Sequence, residues 1–168
     1  MKTISHEYIR GLVDGEGCFT FFTVPEWKKT ENGELVRLKR PVFTIQMNER
    51  DEKLLESVNY TLELSGRVYW QEAWRGDGVN RGPKVSIIVR NVLELRNKII
   101  PIFYGKLHGH KGKQFIKWLE KMGEDDKTRE SRYLHMIYKK GFFEEWHKEF
   151  LSEKDKNVSV VSAETGKT

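Results

Sequence analysis

The chain has 168 residues, of which 38% are hydrophobic and 12% aromatic, enough for one domain with a substantial core and too apolar for global disorder. No apolar run reaches the length of a membrane span, and the N-terminus lacks the apolar segment of a signal peptide. Cys18 is the single cysteine, which excludes an internal disulfide and a multi-cysteine zinc site. We therefore expect an intracellular protein, in the cytoplasm of a prokaryote or in an organelle, that is neither secreted nor membrane-bound.

The net charge of +5 favours a polyanionic partner, and the distribution of charge strengthens this interpretation. Residues 81–118 carry nine basic side chains and one acid, and a second basic cluster, RLKR, spans residues 37–40. A solvated helix face is the plain explanation of a single basic run. The second cluster, on a predicted strand, favours nucleic acid.

The chain opens with a pattern that predicts a short helix over about 6–14, with Ser5 as its N-cap. The aromatic and β-branched segment that follows predicts a strand over about 18–27. An Asn-Gly pair at 32–33 is a hairpin signal, so the apolar segment 36–47 is expected to return as the second strand.

The same pattern recurs in the second half of the chain. A helix that begins at Asp51 leads to two further strands, over 66–75 and 83–90. Asn91 is expected to cap the next helix, which is expected to end near Pro101. This order of elements predicts a compact α+β domain.

Two later helices, over 111–122 and 131–150, complete the predicted order. Gly141 is expected to bend or interrupt the second of them. No low-complexity linker separates the elements, so we expect a single domain over 1–151, followed by a polar, loosely held tail over 152–168.

Three glycines near the first helix need an explanation, because a glycine costs about 1 kcal/mol in a helix relative to alanine. Gly11 and Gly15 lie four residues apart on one face, where small residues let two helices approach closely. Gly17 is expected to let the chain turn sharply into the strand. Asp14 and Glu16 stand where negative charge opposes the helix dipole, so a hard cation with oxygen ligands is one explanation. A glycine cap beside two solvated acids is the other.

The stretch IRGLVDGEG, residues 9–17, resembles the nonapeptide motif of the LAGLIDADG homing endonucleases. Glu16 stands in place of the second acid of that motif. The αββαββα order of the predicted elements is also the order of this family, and the resemblance covers about residues 4–122. It implies an α+β fold with a saddle-shaped antiparallel sheet and extra C-terminal helices. The positions identical to the motif are Gly11, Leu12, Asp14 and Gly17.

In this family each motif supplies one metal-binding carboxylate, and the matching residue here is Glu16, with the Gly15 backbone carbonyl as a second metal ligand. A single motif implies a homodimer, in which Gly11, Leu12, Asp14 and Gly15 pack against the symmetry mate. The resemblance implies Mg²⁺ as the cofactor, with Mn²⁺ or Ca²⁺ able to occupy the same sites. No small-molecule cofactor is expected.

The other catalytic residues follow from the resemblance less directly. The family places a water-positioning glutamine at the end of the second strand, where this chain has Met47, and Gln46 and Asn48 are therefore the candidates. The lysine of the family corresponds to Lys111, for which an ordinary basic residue in a basic segment is the alternative. Arg50 is expected to join the same network.

One face of a saddle-shaped sheet packs on helices, and the other lies along the major groove of DNA. Alternation assigns Phe19, Phe21, Phe43 and Ile45 to the core and Val42 to the opposite face. Arg and Gln are expected to contact bases and lysines to contact phosphates. The candidate DNA contacts, on that opposite face and in the hairpins, are Thr20, Phe22, Glu26, Lys28, Lys29, Arg37, Lys39, Arg40, Thr44, Gln46, Tyr69, Gln71, Arg75, Arg81, Lys84 and Ser86.

His108 and His110 are interpreted as phosphate contacts or solvated side chains and not as metal ligands. The resemblance implies a site-specific, intron-encoded endonuclease that cuts both strands of a long, pseudo-palindromic DNA target by metal-dependent phosphodiester hydrolysis. A non-cleaving protein of the same fold, such as an RNA maturase that assists splicing or a DNA-binding regulator, is the alternative. The acid at position 16 favours cleavage, and a basic scaffold protein would leave the glycine pattern unexplained.

Overall fold

The structure, a computed structural model, describes residues 2–29, 31–73, 81–125, 136 and 138–141. Its helices and strands follow the αββαββα order that the sequence predicts. They are α1 (His6–Glu16), β1 (Gly17–Lys29), β2 (Leu35–Asn48), α2 (Glu52–Thr61), β3 (Tyr69–Gln71), β4 (Lys84–Val89), α3 (Val92–Glu94), α4 (Ile100–Phe103) and α5 (Gly109–Asp125).

The four strands form one antiparallel sheet in the order β1-β2-β4-β3. β1 and β2 make the predicted hairpin, and Gly33 has a φ of +80° in its turn, a conformation that glycine adopts without strain. The pairing of β1 with β2 starts with Gly17 opposite Ile45 and becomes irregular between Pro25 and Lys29. β2 and β4 are the inner strands, so their side chains are flanked on both sides.

One face of the sheet forms the core. Phe19, Phe43 and Ile45 are buried there, and Phe21 packs against them while half-buried, as alternation predicts. The register places the Val42 side chain on the opposite, outer face. Val42 is nevertheless only 4% exposed, because it lies on an inner strand. The outer face is therefore less open at its centre than the sequence suggests.

Phe19 is the hub of an aromatic core. Its ring centroid lies 4.9 Å from that of Phe115, 5.1 Å from Phe43, 5.3 Å from Trp118 and 6.0 Å from Phe103. Such pairs contribute about 0.5–1.5 kcal/mol each beyond the area that they bury. Because the rings come from β1, β2, α4 and α5, this cluster joins the sheet to the helices.

Two hydrogen bonds between distant parts of the chain complete the attachment of the helices. Arg10 Nε on α1 donates to the Ile102 carbonyl oxygen on α4 at 2.9 Å. Trp118 Nε1 on α5 donates to the Thr20 carbonyl oxygen at 2.9 Å. The second bond satisfies a carbonyl of the edge strand β1 and holds α5 beside that edge.

The helix after β4 ends at Phe103, two residues after Pro101 and close to the predicted end. Asn91 caps its start, and its side chain accepts the Leu93 backbone N–H at 2.8 Å. Leu95–Ile99 then forms a π-helical turn, and α4 continues through the proline to Phe103. Pro101 lies in the first turn of α4, directly after the wide π-helical turn.

Other boundaries differ from the predictions by a few residues. β3 covers Tyr69–Gln71 and not the predicted 66–75, although residues 74–80 lie outside the part that is described. Gly141 has a φ of +71° and ends a helical turn, as expected. Most of the predicted helix 131–150, and the tail 152–168, lie outside the described residues. No helix among those described is long and apolar enough to cross a membrane.

Gly17 joins α1 to β1 for a different reason from the predicted one. Its φ of −71° and ψ of 152° are open to any residue, so the glycine is not needed for a sharp turn. A Cβ at this position would lie 2.6 Å from Val13 Cγ1 and 2.7 Å from the Val13 carbonyl oxygen. Glycine is required because the strand starts directly against the helix that precedes it.

We expect Gly17→Ala to lower the free energy of unfolding by about 1–3 kcal/mol, because the added methyl group overpacks the contact with Val13. Gly66→Ala is the matched control, since a Cβ there would meet only the Ile88 carbonyl oxygen, at 3.9 Å. Urea denaturation of both variants measures the difference. Equal stability of the two variants would contradict the packing explanation.

Candidate active site

A groove of about 410 Å³ opens where α1 ends, beside the last residues of β2 and the first residue of β4. Four of the predicted catalytic residues meet in it: Glu16, Gln46, Asn48 and Arg50. The full set of lining residues is Glu16, Gln46, Met47, Asn48, Arg50, Asp51, Gly82, Pro83 and Lys84.

The two acids at the end of α1 have different surroundings. Asp14 is half-buried, and its carboxylate accepts the His108 backbone N–H at 3.0 Å and 3.2 Å to its two oxygens. Glu16 is exposed, and it lines the groove. Asp14 therefore joins α1 to the segment before α5, and Glu16 is the acid available for chemistry.

A capped turn holds the end of β2. Asn48 caps the 3₁₀ turn Glu49–Asp51, and its Oδ1 accepts the Arg50 backbone N–H at 3.2 Å. The Arg50 side chain is 83% exposed, with Nε 3.9 Å from Asp51 Oδ2. The turn thus orients the Asn48 amide and presents an accessible guanidinium at the groove.

Strand alternation separates Met47 from its two polar neighbours. Met47 lies opposite Val85 and packs against the core. Gln46 and Asn48 point to the outer face and line the groove. Although this chain has Met47 where the family often has a glutamine, the neighbouring residues Gln46 and Asn48 supply polar side chains to the groove.

Lys84 is the lysine that lines the groove. It lies opposite Asn48 in the pairing of β4 with β2, and its Nζ donates to Gln46 Oε1 at 3.3 Å. Gln46 Nε2 in turn donates to Gln71 Oε1 on β3 at 3.2 Å. This chain of hydrogen bonds connects the groove to the outer face of the sheet.

Lys111 is not one of the described residues that line the groove, and its catalytic role stays a prediction. It lies half-buried in the first turn of α5. The segment before that helix is held at Asp14, and residues two apart on a helix point to different sides. The start of α5 is therefore fixed to a different side of α1 from the one that carries Glu16.

The groove offers oxygen donors of the kind that hard cations prefer. Carboxylates of Glu16 and Asp51 line it, together with the amides of Gln46 and Asn48. Within the described part of the chain, no three His, Cys, Asp or Glu side chains lie close enough together to hold a metal ion by themselves. The donor set fits Mg²⁺ only if further ligands come from outside the described residues, such as DNA phosphates or a second chain.

His108 and His110 are not among the residues that line this groove. His110 lines a separate groove between β1 and α5, together with Lys113 and Lys117. The backbone of His108 is the donor to Asp14. Their interpretation as phosphate contacts or solvated side chains stays a prediction.

Three of the four predicted dimer residues, Gly11, Leu12 and Gly15, lie on an accessible side of α1, whereas Asp14 faces His108. Gly11 and Gly15 are exposed, and a Cβ on either would meet nothing within 4 Å. Tyr8 is 52% exposed and Leu12 is half-buried. Positions 8, 11, 12 and 15 share one face of a helix, so a small and partly apolar surface is left open in the single chain.

The outer face of the sheet carries many of the predicted DNA contacts. Arg37 and Lys39 are exposed. By strand register their side chains lie on the face of β2 opposite to that of Arg40. Ser86 faces outward but is only 4% exposed, because Gln46 and Tyr69 lie on either side of it, so it is less accessible than predicted. The residues that the register places on the outer face are Thr20, Phe22, Arg40, Thr44, Gln46, Tyr69, Gln71, Lys84 and Ser86.

Some predicted contacts lie outside the described residues, namely the side chains of Glu26 and Lys28 and the whole of Arg75. Lys29 and Arg81 are exposed.

Arg90 is an outer-face residue that the sequence patterns missed. Its guanidinium carbon lies 4.7 Å from the centroid of the Phe22 ring, a cation–π contact. The signal was available, since Arg90 follows β4 two positions after Ile88, which faces outward opposite Thr44. The pair forms a basic and aromatic element beside the inner strands.

A profile of the LAGLIDADG endonuclease family matches residues 9–122. The search of curated proteins returns no significant match. The family match covers most of α1, all four strands and most of α5, and it includes every residue that lines the groove.

Solved structures share the fold. The I-LtrWI LAGLIDADG homing endonuclease bound to target DNA is 30% identical, with a TM-score of 0.52, over 68% of this chain and 35% of that one. The meganuclease I-SmaMI bound to uncleaveable DNA is 25% identical, with a TM-score of 0.54, over 82% and 44%. The homing endonuclease I-TnaI is 18% identical, with a TM-score of 0.54, over 83% and 99%. The chain thus spans less than half of the length of the first two proteins and nearly all of the third. The shared fold confirms the prediction of an α+β fold.

We expect Asp14→Ala to lower the free energy of unfolding by about 1–2 kcal/mol, because the His108 N–H loses a charged acceptor. Asp14→Asn keeps an acceptor oxygen in the same place and should lose less than half of that amount. Thermal denaturation of the two variants gives the comparison. The same loss in both would mean that the charge, and not this hydrogen bond, is what stabilises the fold.

Proposed function

Because the chain belongs to the LAGLIDADG endonuclease family, we propose that it is a homing endonuclease that cuts both strands of a specific, long and pseudo-palindromic DNA site. The observation that carries the proposal is the groove in which Glu16 meets the polar ends of β2 and β4. An accessible carboxylate stands there beside amides and a lysine. The groove is continuous with the polar outer face of the sheet, so cleavage and recognition share one side of the domain.

Hydrolysis of a phosphodiester requires a positioned water and groups that offset negative charge on the phosphate. We assign to Glu16, with the Gly15 carbonyl, the binding of a divalent metal ion, and Mg²⁺ is the expected ion. When bound, such an ion activates water and stabilises the leaving oxygen. Glu16 is suited to this role because it is exposed at the groove and, unlike Asp14, it is not engaged by a backbone N–H.

The other side chains of the groove provide orientation and positive charge. Asn48 is held by its bond to the Arg50 backbone, so its amide is preorganised to position a water. Arg50 and Lys84 place positive charge where a phosphate would enter. In this proposal Lys84 takes the electrostatic role that was expected of Lys111.

A homodimer supplies the second reaction centre that double-strand cleavage needs, since one chain carries one Glu16. The exposed face of Gly11 and Gly15 supports this assembly, because close helix packing needs small residues. The two Glu16 carboxylates would repel each other when brought together, and bound cations would relieve that repulsion.

Double-stranded DNA is the proposed partner, and the outer face of the sheet is the proposed reading surface. The polar side chains on β2, β3 and β4, among them Thr44, Gln71 and Lys84, are suited to base edges in the major groove. Lys29, near the β1–β2 turn, is suited to phosphates. The net charge of +5 and the DNA-bound structures of I-LtrWI and I-SmaMI support this assignment.

Glu16→Gln should abolish cleavage of both strands and leave specific DNA binding within about threefold of the parent protein, because most affinity comes from phosphate and sheet contacts away from the groove. The amide keeps the shape of the side chain but loses the charge that a metal ion needs. Cleavage of a target-bearing supercoiled plasmid in Mg²⁺, and binding in EDTA, are the two measurements.

Glu120→Gln on α5 is the control, since this exposed acid is outside the groove and should cut normally. Cleavage by Glu16→Gln within tenfold of the parent rate would overturn the assignment of the metal ligand. A parent protein that binds DNA or RNA specifically but never cuts DNA would favour the non-cleaving alternative.

Gly15→Leu should convert the dimer to a monomer, because the leucine separates the two α1 helices. A Cβ at this position meets nothing in the single chain, so the fold itself should tolerate the change. Lys53→Leu, at an exposed position of α2, controls for the added leucine. Sedimentation of all three proteins tests the proposal, which fails if Gly15→Leu sediments as the same dimer or if the parent protein is a monomer with its DNA target.

A further inference from the structure

We propose that Lys84, Gln46 and Gln71 form a polarised hydrogen-bond chain that makes Gln71 a reader of guanine, an inference that rests on the proposed function. The three side chains lie on three neighbouring strands and point to the outer face of the sheet. They line a groove of about 470 Å³ together with Glu72, Arg81 and Gly82.

The lysine sets the direction of this chain. An ammonium group donates hydrogen bonds and accepts none, so the Gln46 atom 3.3 Å from Lys84 Nζ is Oε1. Gln46 then turns Nε2 toward Gln71, and the Gln71 atom that meets it at 3.2 Å is Oε1. Rotating either amide by 180° would set a donor against a donor, so one arrangement is favoured throughout.

The consequence is that the chain presents donors to the outside. Gln71 is exposed, its Oε1 is engaged by Gln46, and its Nε2 is left to face DNA. Lys84 Nζ has two further N–H groups beyond its bond to Gln46. In the major groove guanine offers two acceptors, N7 and O6, whereas adenine and cytosine each place an amino donor there. A pair of donors therefore selects guanine.

This polarity changes what glutamine ordinarily recognises. A glutamine with both amide atoms available fits adenine, accepting from N6 and donating to N7. In Gln71 one lone pair of Oε1 is already engaged by Gln46 Nε2, which weakens the accepting half of that pair and leaves Nε2 as the available donor. Lys84 thus also sets the polarity of Gln71 through Gln46, so it is a positioning residue for specificity as well as a donor.

The two grooves also indicate where the guanine lies in the target. Gln46 and Lys84 line the reading groove as well as the groove of Glu16. The guanine is therefore expected beside the cleavage position in each half-site and not at the outer ends of the target.

The test is a binding selection from a randomised duplex library in EDTA, followed by sequencing. The parent protein should enrich guanine over adenine by about 5- to 100-fold at one position of each half-site, the discrimination typical of a good paired contact. Lys84→Met removes the lysine that orients Gln46, and the preference for guanine over adenine should fall below about threefold.

Gln71→Glu provides a second variant at an exposed position, where folding does not depend on the side chain. The carboxylate still accepts from Gln46 but turns an acceptor outward, so the preferred base should change from guanine to cytosine, whose N4 donates. This variant decides the matter if Lys84→Met fails to fold.

Lys29→Met is the matched control, because the loss of a phosphate contact should weaken binding to all sequences alike and leave base preferences unchanged. A parent protein that selects a defined target, with base preferences that neither Lys84→Met nor Gln71→Glu alters, would overturn the inference and leave the proposed function standing. A parent protein that selects no target would overturn both.

Discussion

The contact between Gly17 and Val13 is the constraint on which the rest of the structure depends. Because the strand starts directly against the helix, with no loop between them, Glu16 is held at the junction of the two elements. Phe19, two residues into β1, then enters the aromatic core and meets Phe115 of α5. A side chain at position 17 would push these elements apart. The positions of Glu16 at the groove and of Phe19 in the core therefore both require a residue without a Cβ at position 17.

Asp14 and Glu16, the two acids of the motif, have different surroundings in the fold. Asp14 is a structural group, since its carboxylate receives the backbone N–H of His108 and so attaches the start of α5 to α1. Glu16 is exposed and has a free approach to the groove. Residues two apart on a helix point to different sides, so one acid is turned into the fold and the other toward the groove.

The proposed catalytic groove and the proposed DNA-reading face are physically continuous in this domain. Gln46 lines the groove of Glu16 and also bonds to Gln71 on the outer face of the sheet. Asn48 lies at the end of the same strand and caps the turn that presents Arg50. An antiparallel sheet makes this possible, because one strand carries alternate side chains along a surface and ends beside the helix junction. A change in one polar side chain of β2 therefore alters both the groove of Glu16 and the outer face of the sheet.

The sequence by itself determined the order of the elements and the motif, because caps, turn pairs and alternation are local signals; Ser5 caps α1 as predicted, with its hydroxyl accepting the Tyr8 N–H at 3.2 Å. It did not predict the π-helical turn Leu95–Ile99 that precedes Pro101, because no local pattern in the sequence marks such a turn. Only the tertiary structure decided that Lys84 and not Lys111 lines the groove. That choice depends on pairing between strands, and Lys84 is 38 residues from the Gln46 side chain to which it bonds. Patterns along the chain report which side chains share a face, but the register between distant strands arises only when the core closes.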